Sequence, residues 1–424
     1  GESYMGWTTT GVYQRTLEAA NGADSLVITN LEVNPVYNIT EEITITEGEN
    51  YLGWTVSGTY QRNLTSISGC DSTVVTILNV VAAQGGDEIS VIDKSTQFIS
   101  LKKGWNIFSS YVIPENVNMD NILEGLKTDG NLIIAKDENG NTYEKLKDGS
   151  GWTNNIGNLE KTKGYEIQVN ASCVLMIAGS KMELPLNIPL KKGWNIISFP
   201  YEGSIDAIQI VQPLINKGTL EKVLDERGKS IEYWRNRGWI NSIGNFAGGE
   251  GYKVYVNADD VLEISNLYEK TTSVPIETFN TQHFNPQYTE NGIDHMNINI
   301  LNLSETGLTS GDEIAAFDGE LCVGKVRLTD RHFIDDAVSV NATSSNKFTE
   351  FGFWEGNSIE IKVWKEALDK ESISTPTVLD GVNLFKKYAS VFLTLNNSAN
   401  EIGDGFNSIE ISVYPNPATT HLTV

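Results

Sequence analysis

The sequence predicts a mainly β, multidomain chain: a string of small β modules, a tandem pair of β-rich α+β units and a β-sandwich. Three observations predict it. Thr, Val and Ile alternate with polar residues in short runs between Gly-, Asn- and Asp-containing turns, the period-2 pattern of half-buried strands. Two different segments each recur, at offsets suited to a single supersecondary unit. Helix-like stretches are confined to 119–126 and 205–215, one in each copy of the second repeat.

The first segment, 1–82, holds two tandem β repeats. Gly1-Glu2-Ser3-Tyr4-Met5-Gly6-Trp7 returns 47 residues later as Gly48-Glu49-Asn50-Tyr51-Leu52-Gly53-Trp54. The same offset aligns Gly11-Val12-Tyr13-Gln14-Arg15 with Gly58-Thr59-Tyr60-Gln61-Arg62. An alternating strand, Ile39 to Ile45, precedes the second copy and has no counterpart before the first. The first copy is therefore expected to be truncated, with further copies upstream. A polar connection follows at 83–96.

The second repeat family occupies 97–183 and 184–268. Leu101-Lys102-Lys103-Gly104-Trp105-Asn106-Ile107 returns as Leu190-Lys191-Lys192-Gly193-Trp194-Asn195-Ile196, an offset of 89. Gly151-Trp152 returns as Gly238-Trp239, and Lys163-Gly164-Tyr165 as Glu250-Gly251-Tyr252, both at 87. The drift of two places an indel in a loop. Asp137-Glu138-Asn139-Gly140 and Asp225-Glu226-Arg227-Gly228 have the composition of hairpin turns. Residues 269–399 alternate again, at Ile298 to Leu303, Ile359 to Trp364 and Ser390 to Leu395, which suggests the sandwich. A linker at 400–408 leads to a final segment, 409–424.

Composition excludes several functions. Lys and Arg total 31 against 55 Asp and Glu, a net charge of −24. Phosphates would be repelled, so neither nucleic acid nor an anionic lipid surface is an expected partner. No apolar run reaches the ~18 residues that span a bilayer, so no membrane insertion is expected. Gly1-Glu2-Ser3-Tyr4 is polar and lacks the basic start of a signal peptide, so residue 1 is not expected to be the natural start. Cys70, Cys173 and Cys322 are scattered, with neither a disulfide framework nor metal spacing. Each is expected to be a buried small apolar side chain.

Four sets of residues carry candidate chemistry. Six of nine tryptophans follow glycine, at matching repeat positions, which favours core anchors. Trp234 and Trp364 fall outside that set and are the candidate exposed platforms for sugar rings; Trp234 aligns with about Leu146, so its indole is not shared scaffold. Asp312, Glu313, Asp318 and Glu320 lie within nine residues; they are a solvated turn, a calcium site or an acid/base pair. Ser25 and Ser72 follow Asp24 and Asp71 at the same place in their repeats and belong either to capped turns or to modified sites. The four histidines form no metal-binding pair, and no nucleophile elbow or phosphate-binding loop is present. The chain therefore nominates no catalytic residue and, calcium aside, no cofactor.

The last set is Val413-Tyr414-Pro415-Asn416-Pro417. The prolines exclude helix and Asn416 suits a turn between strands at Ile409–Val413 and His421–Val424. On the residues alone this is an edge strand ending in a proline turn. The run VYPNPATTHLTV resembles the start of the type A C-terminal sorting domain of type IX secretion cargo in Bacteroidota. The resemblance implies a secreted or outer-surface location and the type IX machinery as a partner. Such domains run on for several more strands, so the tail is expected to be trimmed. The 47-residue repeats and the Gly311 to Gly324 stretch are similar to modules of secreted proteins of those bacteria, and Asp24-Ser25-Leu26 and Asp71-Ser72-Thr73 resemble their O-glycosylation acceptor, with Thr73 a departure from its apolar position. The expected function is a non-catalytic exported structural or adhesion protein, in a filament or larger assembly, with itself or surface glycans as partners. The alternative is a carbohydrate-binding accessory region of a secreted polysaccharide-degrading enzyme.

Overall fold

The computed structural model describes residues 11–18, 24–31, 38–46, 48–65, 71–81, 94–265, 283–286, 292, 294–345 and 351–396. The chain divides into two compact units: Gly1–Ser95 with Ser172–Val174, and Thr96–Ala171 with Leu175–Val424. Among the described residues it is mainly β, with four short α-helices.

In the first unit β1 (Gly11–Glu18) pairs antiparallel with β2 (Asp24–Leu31), Gly11 opposite Leu31 and Glu18 opposite Asp24. A second sheet has the order β3-β5-β4, from β3 (Asn38–Thr46), β4 (Gly58–Thr65) and β5 (Asp71–Val81). Its β4–β5 pair sets Gly58 opposite Leu78 and Thr65 opposite Asp71, the register of β1–β2 displaced by 47 residues. The alternating strand at 39–45 is β3, parallel to β5. Val74, Thr76 and Leu78 of β5 are buried at period 2, the spacing of one sheet face.

Next in the chain is a three-stranded sheet ordered β6-β13-β8, from β6 (Lys94–Leu101), β8 (Val112–Ile113) and β13 (Cys173–Lys181). Between these strands lie β7 (Gly104–Phe108), α1 (Met119–Ile122), α2 (Glu124–Thr128), β9 (Leu132–Lys136), β10 (Thr142–Lys145), β11 (Trp152–Asn154) and β12 (Tyr165–Val169). The second copy runs β14 (Leu186–Leu190), β15 (Gly193–Ser198), β16 (Ser204–Asp206), α3 (Ala207–Lys217), β17 (Leu220–Leu224), β18 (Ser230–Trp234), β19 (Gly238–Asn241), β20 (Asn245–Ala247), β21 (Gly251–Val256) and β22 (Asp260–Ile264). The main sheets have the same order, β7-β12-β9-β10-β11 and β15-β21-β17-β18-β19.

The shared motifs have shared local causes. In the Lys-Lys-Gly-Trp-Asn turn, Asn106 Oδ1 accepts from Lys102 N at 2.8 Å and Asn195 Oδ1 from Lys191 N at 2.8 Å. Asp137 and Asp225 fold their hairpins by accepting the backbone N–H groups two and four residues on. The strand before the second helix extends through Ile205 and Asp206, so the helix starts at Ala207, two residues later than the pattern suggests. Asp206 is its N-cap, accepting from Ile208 N at 2.7 Å, as Asn118 does from Asp120 N at 2.9 Å. Ala207, Ile210, Val211 and Leu214 of α3 face the core at helical spacing.

The rest is a sandwich. Its strands are β23 (Met296–Leu301), β24 (Glu313–Asp318), β25 (Leu321–Arg327), β26 (Ala337–Ala342), β27 (Glu360–Lys365), β28 (Lys370–Ser374), β29 (Pro376–Asp380) and β30 (Ser390–Leu395), with α4 (Asp330–Ile334) between β25 and β26. They form two four-stranded sheets, β26-β23-β30-β29 and β25-β24-β27-β28. Ile298, Ile300, Val340 and Leu393 of one sheet meet Ile314, Val323 and Ile361 of the other in one core.

Candidate functional site

The two α+β modules pack against each other through equivalent elements. Glu138, in the β9–β10 turn, accepts from Ile196 N of β15 at 3.1 Å. Glu226, in the β17–β18 turn, accepts from Ile107 N of β7 at 3.3 Å. Ser109 N donates to Gly249 O at 2.8 Å, and its equivalent Ser198 N to Thr162 O at 3.2 Å. Isolated bridges join Phe108 to Glu250 and Lys163 to Ile197, again a reciprocal pair. The pairing is thus an approximate two-fold within one chain.

Gly164 and Gly251 sit where the backbones approach. A Cβ on Gly164 would lie 2.7 Å from the Ile197 carbonyl oxygen and 3.3 Å from Gly251 Cα. One on Gly251 would lie 3.2 Å from the Phe108 carbonyl oxygen and 3.3 Å from Gly164 Cα. This is why glycine precedes tyrosine in both copies.

Two residues on, the symmetry carries a charge reversal. Glu166 of β12 and Lys253 of β21 hold equivalent positions, both are buried, and they form an ion pair at 2.6 Å. Lys253 also contacts Asp294 at 3.4 Å and donates to Tyr388 Oη at 3.1 Å, tying the module pair to the sandwich. Burial opposes its charge, but Glu166, Tyr388 and Asp294 outweigh burial and raise its pKa. Burial likewise opposes the Asp294 carboxylate, and Lys253 and Tyr388 overcome it to hold the pKa low.

A narrow cleft opens at this junction, lined by Trp105, Glu166, Glu226, Lys253, Asp294 and His295 among others. Burial, and then Glu250, pushes Asp225 up to about 6 and Glu226 up to about 7. Burial and Lys253 push His295 down to about 4. In the first module Lys163, the counterpart of Glu250, forms an ion pair with Glu138. The second module lacks that cation, so its turn carboxylates face a third one.

A second polar layer joins β17 and β18 to the sandwich. Lys222 Nζ donates to Ser390 Oγ at 2.6 Å, Asn299 Nδ2 donates to Glu232 Oε1 at 3.0 Å, and Asn297 Nδ2 donates to the Gly228 carbonyl at 2.7 Å. Burial opposes the Glu232 charge, and Lys222 with three side-chain hydrogen bonds keeps its pKa low nonetheless. Gly228 lies against the His295 ring, leaving no room for a Cβ.

This layer corrects the reading of Trp234. It is 5% exposed and packs edge-on against Phe392, ring centres 5.7 Å apart. Leu146, its counterpart in the first module, is exposed. Trp364 is buried too: His283 stacks on it at 5.0 Å, and its Nε1 donates to Asp369 at 3.1 Å. Neither indole is an exposed platform. The exposed one among the described residues is Trp354, at 59%, with Phe351 at 48% three positions earlier. Its loop is pinned by Asp318, which accepts from Trp354 N and Asn357 Nδ2, both at 2.8 Å.

The four acidic residues do not converge on a calcium site. Asp312 is buried and accepts from Thr309 N at 2.8 Å and Glu366 N at 2.9 Å. Glu313 is buried and accepts from the backbone of His283 and Phe284. Asp318 holds the Trp354 loop at the far end of β24, and Glu320 is exposed. Five residue steps along β24 put Glu313 and Asp318 ~17 Å apart, too far to share one ion. Among the described residues no group of three or more His, Cys, Asp or Glu is arranged to hold a metal.

Ser25 and Ser72 are the second residues of β2 and β5, opposite Leu17 and Leu64, so both belong to strands rather than turns. Cys173 and Cys322 are buried, and burial pushes the Cys322 thiol up to about 11. Cys70 and Val413 to Pro417 lie outside the described residues. Among the described residues no helix is long and apolar enough to cross a membrane. The inter-copy pair Glu166–Lys253 was the residue set that strand patterns missed; aligning the repeats exposes it as opposite charges at one position. No family model and no curated protein matches this chain.

Proposed function

We propose that this chain is a non-catalytic, exported structural or adhesion protein that works at the outer cell surface or in the extracellular space, within a filament or larger assembly. The carrying observation is how the polar groups at the module junctions are used. Glu166, Lys253, Asp294, Glu232 and Asn299 are committed to one another across module boundaries. Such networks fix the orientation of neighbours, which suits a load-bearing array more than a reacting site. Export rests on the resemblance of Val413-Tyr414-Pro415-Asn416-Pro417 to a sorting segment, with the type IX machinery as the partner. The test is fractionation of a Bacteroidota host expressing the full-length polypeptide. Removing the sorting segment should retain the protein inside the outer membrane; unchanged appearance outside the cell would refute export by this route.

A second reading is favoured by Trp354: a carbohydrate-binding accessory region. An exposed indole on a pinned loop offers a preorganised face for a sugar ring. Retention on a polysaccharide panel that is lost in Trp354→Ala would support it, and equal retention by both proteins would refute it. Upstream sequence separates the readings: further repeats support the assembly, and a catalytic domain supports the accessory role.

A further inference from the structure

We propose that the face on which the two α+β modules pair is also an interaction surface for a second copy of this chain, the two chains exchanging modules reciprocally. The inference deepens the assembly part of the proposed function and names the surface that mediates it. Three observations carry it. The face is self-complementary, since Glu138 reaches Ile196 N and Glu226 reaches Ile107 N through the same geometry. A first module therefore fits the second module of another chain as well as that of its own. The charge at the equivalent position then selects the combination. Two first modules would set Glu166 against Glu166 and two second modules would set Lys253 against Lys253, whereas first against second restores the 2.6 Å ion pair. Between two chains, a closed, reciprocal exchange satisfies both faces of each. Finally, the covalent connection between the modules is short, residues 182–185 between β13 and β14. Each module keeps its own main sheet when that connection opens, because β7 to β12 pair among themselves and β15 to β21 do likewise. A short connection of this kind is where a reciprocal exchange can start.

The test mixes two charge variants of the 424-residue chain. E166K carries lysine at both equivalent positions; K253E/D294N carries glutamate at both, with Asp294 neutralised because it faces Lys253. Each is refolded from urea alone and as an equimolar mixture, and mass is read by native mass spectrometry and light scattering. The mixture should contain a one-to-one dimer at about tenfold the dimer fraction of either variant alone, since only unlike chains can restore the pairs. The combined variant E166K/K253E/D294N, which again carries one charge of each sign, should return to the monomer–dimer distribution and the urea midpoint of D294N. A monomeric mixture, or a combined variant no more stable than the single ones, would overturn the proposal. A chain lacking Glu183 provides a second measurement should a charge variant not refold. Its shortened connection should shift it to dimer, and a monomer would count against exchange. Both readouts use purified protein, so a failure of export or glycan binding leaves them unaffected.

Discussion

Glu166 and Lys253 occupy one position in two copies of the same sheet and meet at 2.6 Å, so a near-symmetric pairing is held by an asymmetric charge. Two like residues there would repel across the axis. The reversal makes the first and second modules distinct partners without altering the sheet that carries them.

Removing one member should be costly, because it strands a buried charge. Lys253→Met is expected to lower stability by about 3–5 kcal/mol in urea unfolding. Replacing both, as E166M/K253M, should recover much of the loss, since a buried apolar pair needs no desolvation of charge. Asp294 still faces position 253, so full recovery should need Asp294→Asn as well. Equal losses in single and double variants would show that the pair is not coupled.

Gly164 and Gly251 give a second, independent measure of the same face. Alanine at either adds a Cβ against the partner's backbone, and overpacking of this kind costs about 1–3 kcal/mol. Gly125→Ala is the control, because a Cβ there meets nothing within 4 Å. Denaturant midpoints that fall for Gly164→Ala and Gly251→Ala but hold or rise for Gly125→Ala, a position in α2 where alanine is favoured, are the expected pattern.

The turn carboxylates give the junction a pH dependence. Glu226 is pushed up to about 7 by burial and then by Glu250 and Asp225. Its contribution is therefore fully present below the ordinary carboxyl range, ~4.3, and is lost as pH rises through 7. Asp225 acts in the same direction, up to about 6. His295 runs the other way: its contribution is present above ~6.5 and is lost as pH falls through about 4. Glu226→Gln isolates the first effect, since its amide oxygen can still accept from Ile107 N. The variant should be about 1–3 kcal/mol more stable than the parent at pH 8 and equal to it near pH 4. The same difference at both pH values would contradict the assignment.

Much of the fold was legible in local pattern. The 47-residue offset gives hairpins in one register, and the Lys-Lys-Gly-Trp-Asn and Asp-x-x-Gly motifs mark turns closed by their own side chains. What stayed illegible lies where a sheet is covered on its second face. Trp234 stands out against Leu146 because the sandwich docks on that strand, and Trp364 is hidden by His283, 81 residues away in sequence. Period-2 alternation reports a strand's two faces but not what covers the polar one. Trp234→Ala should accordingly lower stability by about 3–5 kcal/mol, as buried aromatic truncations do.

Asp312 separates a structural carboxylate from a calcium ligand. Its oxygens accept from Thr309 N and Glu366 N, linking the turn before β24 to the end of β27. Asp312→Ala leaves those donors without the carboxylate, and each buried unsatisfied group costs about 1–3 kcal/mol. Asp312→Asn keeps an oxygen for one donor but sets an amide against the other, so its loss should be intermediate. If calcium bound here, a chelator would lower the melting temperature of the parent and excess calcium would raise it. The expected result is a melting temperature unmoved by either, with Asp312→Ala melting lower in both conditions. A calcium-dependent rise that disappears in Asp312→Ala would instead establish the ion, and would require Asp312 to give up Thr309 or Glu366.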